Sequence, residues 1–273
     1  MNGQHTAPCI VVGGGLAGLT AATYLARGGR SVTVLEEASN LGGRARTQTR
    51  EGYHLNMGPH ALYLGGQAKA VLQELEVTYS GGKPALVGAG VRDGRIYRLP
   101  TTTASLLTTD LLGIGERLEA GRILATLSRL DFQAIARISV ESWVQQQTRH
   151  ERVRQLLRAT IRTSTYANDP ERQSAGAALQ QVQLAISKGV LYLDGEWQTL
   201  VDGVKQAAIA AGVQIVTSAK VTGVAPTASG WMVQRADGSK QQAAAVILAV
   251  DPAMATALAA HEGLRTWATH RHP

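Results

Sequence analysis

Val11-Val12-Gly13-Gly14-Gly15-Leu16-Ala17-Gly18-Leu19 sets three glycines in a Gly-x-Gly-x-x-Gly spacing, at Gly13, Gly15 and Gly18. Just upstream, Pro8 to Val12 is a continuous apolar run of strand length, the pattern of a parallel strand buried on both faces. Downstream, Leu16 to Arg27 is rich in alanine and leucine and reads as a helix that Gly28-Gly29 ends. Ser31 to Glu36 is β-branched and again strand-like. Strand, glycine turn, helix and strand in this order predict a compact right-handed βαβ unit.

In that context each glycine has its own reason. Gly13 permits the tight turn out of the strand, Gly15 lets the backbone approach a pyrophosphate, and Gly18 lets the helix pack closely on the sheet. A pyrophosphate would then meet the free N–H groups at the helix start, near Leu16 and Ala17. Glu36 closes the second strand eighteen positions after Gly18, close to the spacing of about twenty at which an acid binds ribose hydroxyls. A carboxylate there accepts two O–H bonds and disfavours a 2′-phosphate, so the expectation is a dinucleotide other than NADP. Glu37 reads as a solvent-facing charge. Leu41-Gly42-Gly43-Arg44-Ala45-Arg46-Thr47 follows. It is either a loop with two exposed arginines or a second close backbone approach, with Gly43 beside the ligand and the Arg44 guanidinium on a phosphate oxygen.

Beyond this loop, Gly52 to Gly58 alternates, Gln67 to Leu75 suggests a short helix, and Ala85 to Leu99 suggests a hairpin turning at Asp93-Gly94. From about Thr101 to Lys188 glycine thins out and helical periodicity takes over. Leu124, Leu127 and Leu130 are expected on one face of a helix, and Val153, Leu156 and Leu157 on another. Ser139 is expected to cap a helix through Trp143, and Pro170 to sit in the first turn of a helix running towards Ala185, behind Asp169. Strand signals return at Val213 to Val216, Val221 to Ala225, Trp231 to Gln234 and Val246 to Val250, with a turn at Asp237-Gly238. The expected fold class is α/β: a Rossmann-like FAD/NAD(P)-binding domain with an inserted, largely helical and partly β substrate lobe. The expected segments are 1–80, 81–189 and 190–273.

Gly13 to Gly18, Leu35-Glu36-Glu37-Ala38 and Gly42-Gly43-Arg44-Ala45-Arg46-Thr47 together resemble the opening of the flavin-dependent amine oxidase, protoporphyrinogen oxidase and phytoene desaturase superfamily. Asn56-Met57-Gly58-Pro59-His60 resembles the family segment that passes close to the flavin ring, and Gly195-Glu196-Trp197-Gln198-Thr199-Leu200-Val201-Asp202-Gly203 the segment that leads back into the FAD domain. The resemblance implies FAD as cofactor, with Gly58, Pro59 and His60 beside the flavin and the Val221 backbone at the adenine. It also implies an oxidoreductase that oxidises a C–N or C–C bond of a small-molecule substrate by hydride transfer to the flavin. Val246 to Pro252 matches the strand and proline that usually follow, but nothing after Asp251 matches the family's final Gly-Asp or Gly-Glu flavin segment; Glu262-Gly263-Leu264 is too loose, and Thr269 to Pro273 is a polar tail. The expectation is a C-terminally short member: truncated, completed by a partner chain, or broken in frame. A non-catalytic or partner-dependent nucleotide-binding remnant is the alternative reading, and an NAD-dependent enzyme a third. No catalytic acid or base is assigned.

Composition narrows the remaining classes. The 273 residues are 44% apolar and 17% charged, with thirty glycines and twelve aromatics, which suits closely wound α/β layers. A formal charge of +7 attracts anions in general. The lysines and arginines are scattered, however, and no aromatics interleave with them, so nucleic acid is not expected. Helical faces in the middle block are expected to pack within the lobe rather than on a membrane surface. The apolar stretches Cys9 to Ala26 and Ala243 to Ala260 are broken by glycines and by Asp251-Pro252, and read as strand–turn–helix units rather than spans. With no signal peptide pattern at the N-terminus, the expected location is cytoplasmic. Cys9 reads as a buried strand residue, the single cysteine excludes an internal disulfide, and His261, His270 and His272 are too loosely spaced for a metal site. His60 is expected to be a hydrogen-bonding residue near the flavin, His54 a strand residue, and Tyr166, Tyr192 and Trp197 core or cavity aromatics.

Overall fold

A computed structural model describes residues 7–85, 87–259, 261 and 263–265. Glu262 and the tail from Thr269 to Pro273 lie outside the described residues. Of those described, residues 7–62, 67–82 and 192–265 form one compact unit, and 63–66 with 83–191 a second.

The first unit opens with β1 (Cys9–Val12), α1 (Leu16–Arg27) and β2 (Val32–Leu35), the βαβ unit the glycine motif predicts. A hairpin follows, β3 (Thr47–Arg50) and β4 (Tyr53–Asn56), with Glu51 and Gly52 both at positive φ in its turn. Next come the two-residue β5 (Leu62–Tyr63), whose Tyr63 already belongs to the second unit, and then, in the first, α2 (Gln67–Glu74) and the two-residue β6 (Gly81–Gly82).

The second unit begins with the hairpin of β7 (Ala89–Arg92) and β8 (Arg95–Arg98), in register at Val91–Ile96. Asp93 at φ 52° and Gly94 at φ 73° make its two-residue turn, the primed geometry that Asp-Gly favours. Five helices follow: α3 (Thr103–Thr108), α4 (Ile114–Thr126), α5 (Val140–Gln147), α6 (Glu151–Thr165) and α7 (Ala175–Lys188). Their core is built on Ile123, Trp143, Val144, Val153, Leu157 and Leu179. Ser139 caps α5 as expected, accepting from Ser142 N.

Two helical expectations need correction. Leu124, Leu127 and Leu130 reach the same core, but not from one helix: α4 stops at Thr126, Leu127–Arg129 is a tighter turn, and Leu130 is extended. Pro170 does not open α7. Asp169 to Gln173 instead form a separate turn, whose Pro170 and Gln173 carbonyls accept from the first amides of α5, Glu141 N and Val140 N, at 2.9 and 2.8 Å. The cap of α7 is Ser174, accepting from Ala177 N. Satisfying the otherwise orphaned amides of α5 outweighs continuing a helix from proline.

Glu141 also carries a close ion pair in this unit. It is buried at 8% exposure and holds Arg158 through two hydrogen bonds, at 2.8 and 2.5 Å. The Arg158 guanidinium pulls the Glu141 carboxyl down to about 2. A depressed acid stabilises the fold fully above its ordinary pKa, near 4.5, and loses that contribution as pH falls towards 2. Glu141→Gln is expected to cost roughly 3 kcal/mol at neutral pH. It should also flatten the acid dependence of the melting temperature between pH 4.5 and 2, which thermal melts across that range would check. An unchanged acid limb would mean that other carboxyls govern acid unfolding.

The chain returns to the first unit through β9 (Val190–Leu193), α8 (Gln198–Ala210), β10 (Gln214–Val216), β11 (Val221–Thr227), β12 (Gly230–Arg235), β13 (Lys240–Ala243), β14 (Ala245–Leu248) and α9 (Pro252–Leu258). Within this unit β9 pairs with β6 at Gly81–Leu193 and Gly82–Tyr192. Four strands form a wholly parallel sheet in the order β10-β2-β1-β14. Side-chain alternation splits its two faces. Val11, Val32 and Val34 pack with Ala22 of α1 and Ala208 of α8, while Ile10, Val12 and Leu35 pack with Val224 and Val233 of the antiparallel β11-β12-β13 sheet. The parallel sheet is thus covered on both faces, which explains why its strands read as unbroken apolar runs. Cys9, at the start of β1, is half-buried rather than fully buried. The apolar stretch from Cys9 and the described part of the one from Ala243 become strand–turn–helix units, and no described helix is long and apolar enough to cross a membrane.

Candidate functional site

Strand order reverses around β1, because the chain leaves it towards β2 on one side and later adds β14 on the other. The Gly13–Gly18 turn stands at the carboxyl end of β1, where open α/β sheets place their ligands. Gly13 has φ 107°, and a Cβ there would lie 2.6 Å from the Ala249 carbonyl oxygen. A Cβ on Gly18 would lie 1.9 Å from the Gly13 oxygen. Both glycines are therefore required by packing. Gly15 differs: its φ is −77°, and the nearest atom to an added Cβ is the Gly42 oxygen, 3.8 Å away. Gly15 also caps α1 with no side chain, and no acid stands in the first turn. The amides of Leu16 and Ala17 are left for a ligand or solvent.

The second glycine loop is bonded to the first. Gly42 N donates to the Gly14 oxygen at 2.9 Å, Gly15 and Gly42 form a parallel bridge, and a Cβ on Gly43 would lie 3.7 Å from Gly15 Cα. Gly42 and Gly43 both have positive φ, and Gly43–Ala45 form one short 3-10 turn. Arg44 is exposed at its tip. The loops at 13–18 and 42–45 thus run together as one backbone wall, closed by Leu41 at Gly14 and by Val201 at Gly42 and with room left at Gly15 and Gly43.

Glu36 does more than the sequence predicts. Its Oε2 accepts from Gly14 N at 2.6 Å and its Oε1 from Ala38 N at 2.8 Å. The carboxylate therefore braces the first glycine loop, while each oxygen retains a further lone pair for a ribose hydroxyl. Its backbone positions the far edge: Ala219 N donates to the Glu36 oxygen at 2.8 Å, which sets buried Val221 at the start of β11 close by in sequence. Glu37 is exposed and faces Lys220 at 3.7 Å, the solvent-side role expected of it.

The segment carrying Gly58, Pro59 and His60 runs beside the second loop. Met57 N donates to the Arg46 oxygen at 3.0 Å, and a Cβ on Gly58 would meet the Arg44 oxygen at 2.3 Å. Gly58 is thus needed to seat this segment against Arg44. Pro59 is half-buried and His60 exposed. His60 lines a cavity of about 330 Å³ together with Asn56, Tyr192, Leu193, Glu196 and Trp197, all within the first unit.

A hydrogen-bond chain that the sequence does not announce builds this cavity. Gln198 N donates to Thr47 Oγ1 at 3.2 Å, and Thr47 Oγ1 donates to Asn56 Oδ1 at 2.8 Å. Trp197 N also donates to Asn56 Oδ1, at 3.3 Å, so the amide nitrogen must point the other way and donates to Glu196 Oε2 at 2.6 Å. Glu196 has φ 63°, behind Gly195 at φ 70°, a left-handed backbone that disfavours any residue but glycine. Among the described residues the buried Trp197 Nε1 has no hydrogen-bond acceptor. Tyr192 and Trp197 line the cavity as aromatics, whereas Tyr166 ends α6 in the helical unit. His54 is a strand residue whose Nδ1 lies 3.1 Å from Thr49 Oγ1. His270 and His272 fall outside the described residues, and among those described no three His, Cys, Asp or Glu side chains cluster as a metal site.

A model of the flavin containing amine oxidoreductase family matches residues 16–270. The chain belongs to that family. An L-amino-acid oxidase of Sistrurus catenatus edwardsii is 47% identical over 53 residues, which are 19% of this chain and 10% of the oxidase. A carotenoid 3,4-desaturase of Haloarcula japonica is 24% identical over 279 residues, covering 90% of this chain and 56% of the desaturase. In fold, the chain superposes on a triple mutant of putrescine oxidase with a TM-score of 0.76 at 20% identity, covering 97% of this chain and 63% of that one. The chain thus spans less than two thirds of the length of each relative.

Proposed function

We propose that this chain binds FAD along the two glycine loops and serves as a flavin-dependent oxidoreductase acting on a small-molecule donor. The observation that carries this is the pairing of Gly15 with Gly42–Gly43 at the switch point of a parallel sheet: Gly42 backs onto Val201, while the space where a Cβ of Gly15 or Gly43 would stand is open, beside the N-terminal amides of α1. When bound, the flavin supplies two-electron chemistry, accepting a hydride from a C–N or C–C bond of the donor.

The protein's part is to hold, orient and shield. The amides of Leu16 and Ala17 take pyrophosphate oxygens, with Gly15 and Gly43 allowing close approach and the Arg44 guanidinium adding a charged donor. Glu36 keeps the first loop in shape and takes ribose hydroxyls with its remaining lone pairs. The Val221 backbone borders the adenine, and Gly58, Pro59 and His60 border the flavin ring.

Two measurements test this reading. The purified chain should show a flavin spectrum, or acquire one with added FAD, and release FAD on heating; a chain that stays colourless with excess FAD overturns it. Glu36→Arg removes the acceptor from Gly14 N and Ala38 N and sets a cation at the ribose position. It should weaken FAD binding by at least about 100-fold in a flavin-fluorescence titration, and unchanged affinity would refute the ribose assignment.

A further inference from the structure

Helix α8 starts behind Trp197, whose side chain provides no cap. The first amides of a helix need acceptors, and here the β3–β4 hairpin supplies them. Trp197 N donates to Asn56 Oδ1 at 3.3 Å and Gln198 N to Thr47 Oγ1 at 3.2 Å, while Thr47 N donates back to Gln198 Oε1 at 3.4 Å. Thr47 and Asn56 are themselves paired across the hairpin. This clamp reaches the cofactor cradle from two sides. On the helix side, Val201 N donates to the Trp197 oxygen at 3.3 Å. That bond places fully buried Val201 with its methyls 3.0 and 3.2 Å from where a Cβ of Gly42 would stand. On the hairpin side, the chain runs from Asn56 into Met57, whose N–H holds the Arg46 oxygen, and Gly58, which fits against the Arg44 oxygen. Both ends of the second glycine loop are thus tied to Asn56.

We propose that Asn56 is the positioning residue of the cofactor cradle, holding the Gly42–Gly43 loop and the 57–60 segment at the spacing that FAD requires. This rests on the reading that FAD binds along the two glycine loops. The two unlike ends of the amide suit asparagine to the task. Its oxygen accepts from Thr47 Oγ1 at 2.8 Å and from Trp197 N, so its nitrogen is turned to Glu196 Oε2 at 2.6 Å. Glu196 thereby fixes which end of the amide α8 meets. A side chain with two acceptors, or with none, leaves one side of the clamp without a partner.

The test is a flavin-fluorescence titration of the full chain and its variants across pH. Asn56→Asp keeps the size of the side chain and the acceptor for Thr47 and Trp197 N, but sets a second carboxylate oxygen 2.6 Å from Glu196 Oε2. Two carboxylates that close must separate or share a proton. At about pH 8, where the pair holds no proton, FAD affinity should fall at least about tenfold, the effect of one lost charged hydrogen bond. It should return towards the parent value as the pH is lowered to about 5 and the pair takes up its proton. Adding Glu196→Gln, whose amide donates back to the new carboxylate, should restore affinity at the higher pH and remove the pH dependence. The parent, titrated over the same range, is the control for His60 and Tyr192, the other titratable groups lining the cavity. A network that only stabilises the fold would lower the melting temperature and leave the FAD affinity of the folded chain unchanged. FAD affinity equal to the parent at every pH, or a loss that neither acid nor Glu196→Gln reverses, overturns the proposal. FAD uptake by the parent is read first. Its absence overturns the flavin reading and this role of Asn56 with it, whereas uptake with an indifferent Asn56→Asp overturns the role alone.

Discussion

Gly18→Ala is expected to lower the melting temperature of the cofactor-free chain by close to 10 °C, and to reduce its soluble yield. The new methyl would stand 1.9 Å from the Gly13 oxygen and 3.2 Å from Ala249 Cβ. Neither neighbour is the flexible end of a long side chain. The Gly13 carbonyl belongs to a turn held by the bond from Gly13 N to the Leu35 oxygen at 2.8 Å, so α1 must move away from β1. That helix covers one face of the sheet, where fully buried Ala22 packs with Val11, Val32 and Val34. Overpacking of this kind costs about 3 kcal/mol, which for a chain of this size corresponds to the stated shift. Differential scanning calorimetry of the two proteins without FAD would decide it. A melting temperature within a degree or two of the parent would mean that helix and strand are farther apart than 1.9 Å implies.

Much of the fold was legible because its signals are local. Apolar runs in β1 and β2, the Ala/Leu-rich α1 and the Asp93-Gly94 turn each state their structure within a dozen residues. The misreadings occurred where a distant partner decided the outcome. Asp169-Pro170 has the chemistry of a helix start, but the carbonyls of that turn are claimed by the N-terminus of α5, some thirty residues earlier in the chain. Leu130 keeps the helical spacing of Leu124 and Leu127, yet α4 has already ended. Spacing specified which side chains reach the core, and left open whether one helix carries them there.

The site divides in the same way. The steric roles of Gly13 and Gly18 follow from the motif itself and appear in the packing. Glu36 was visible as a carboxylate at the right spacing; its bonds to Gly14 N and Ala38 N were not, because the rule concerns a ligand and says nothing of the loop. Asn56 and Glu196 are 140 positions apart. Each lies in a segment whose resemblance was evident, but no local pattern states that one amide orients the other's carboxylate. Only the return of the chain through β9 and the turn into α8 creates that contact.

Gly15→Ala should have the opposite signature to Gly18→Ala, with FAD binding lost and stability kept. Gly15 has φ −77° and ψ 177°, which any L-residue adopts, and an added Cβ finds nothing nearer than 3.8 Å. Removing a glycine from the unfolded ensemble stabilises by about 0.4–1 kcal/mol. Alanine is the poorer helix cap, and that loss is of similar size, so the two effects nearly cancel. The cofactor-free melting temperature should stay within about 2 °C of the parent. For a dinucleotide the methyl is decisive: it fills the gap against Gly42 and Gly43 and covers the approach to the amides of Leu16 and Ala17. FAD affinity should fall at least about 100-fold, through the loss of two or more charge-assisted hydrogen bonds. Paired melting and flavin-titration measurements on the two variants separate the roles within one motif. A Gly15→Ala chain that keeps its FAD would place the pyrophosphate away from this turn, and would leave the closeness of the two glycine loops without a ligand to explain it.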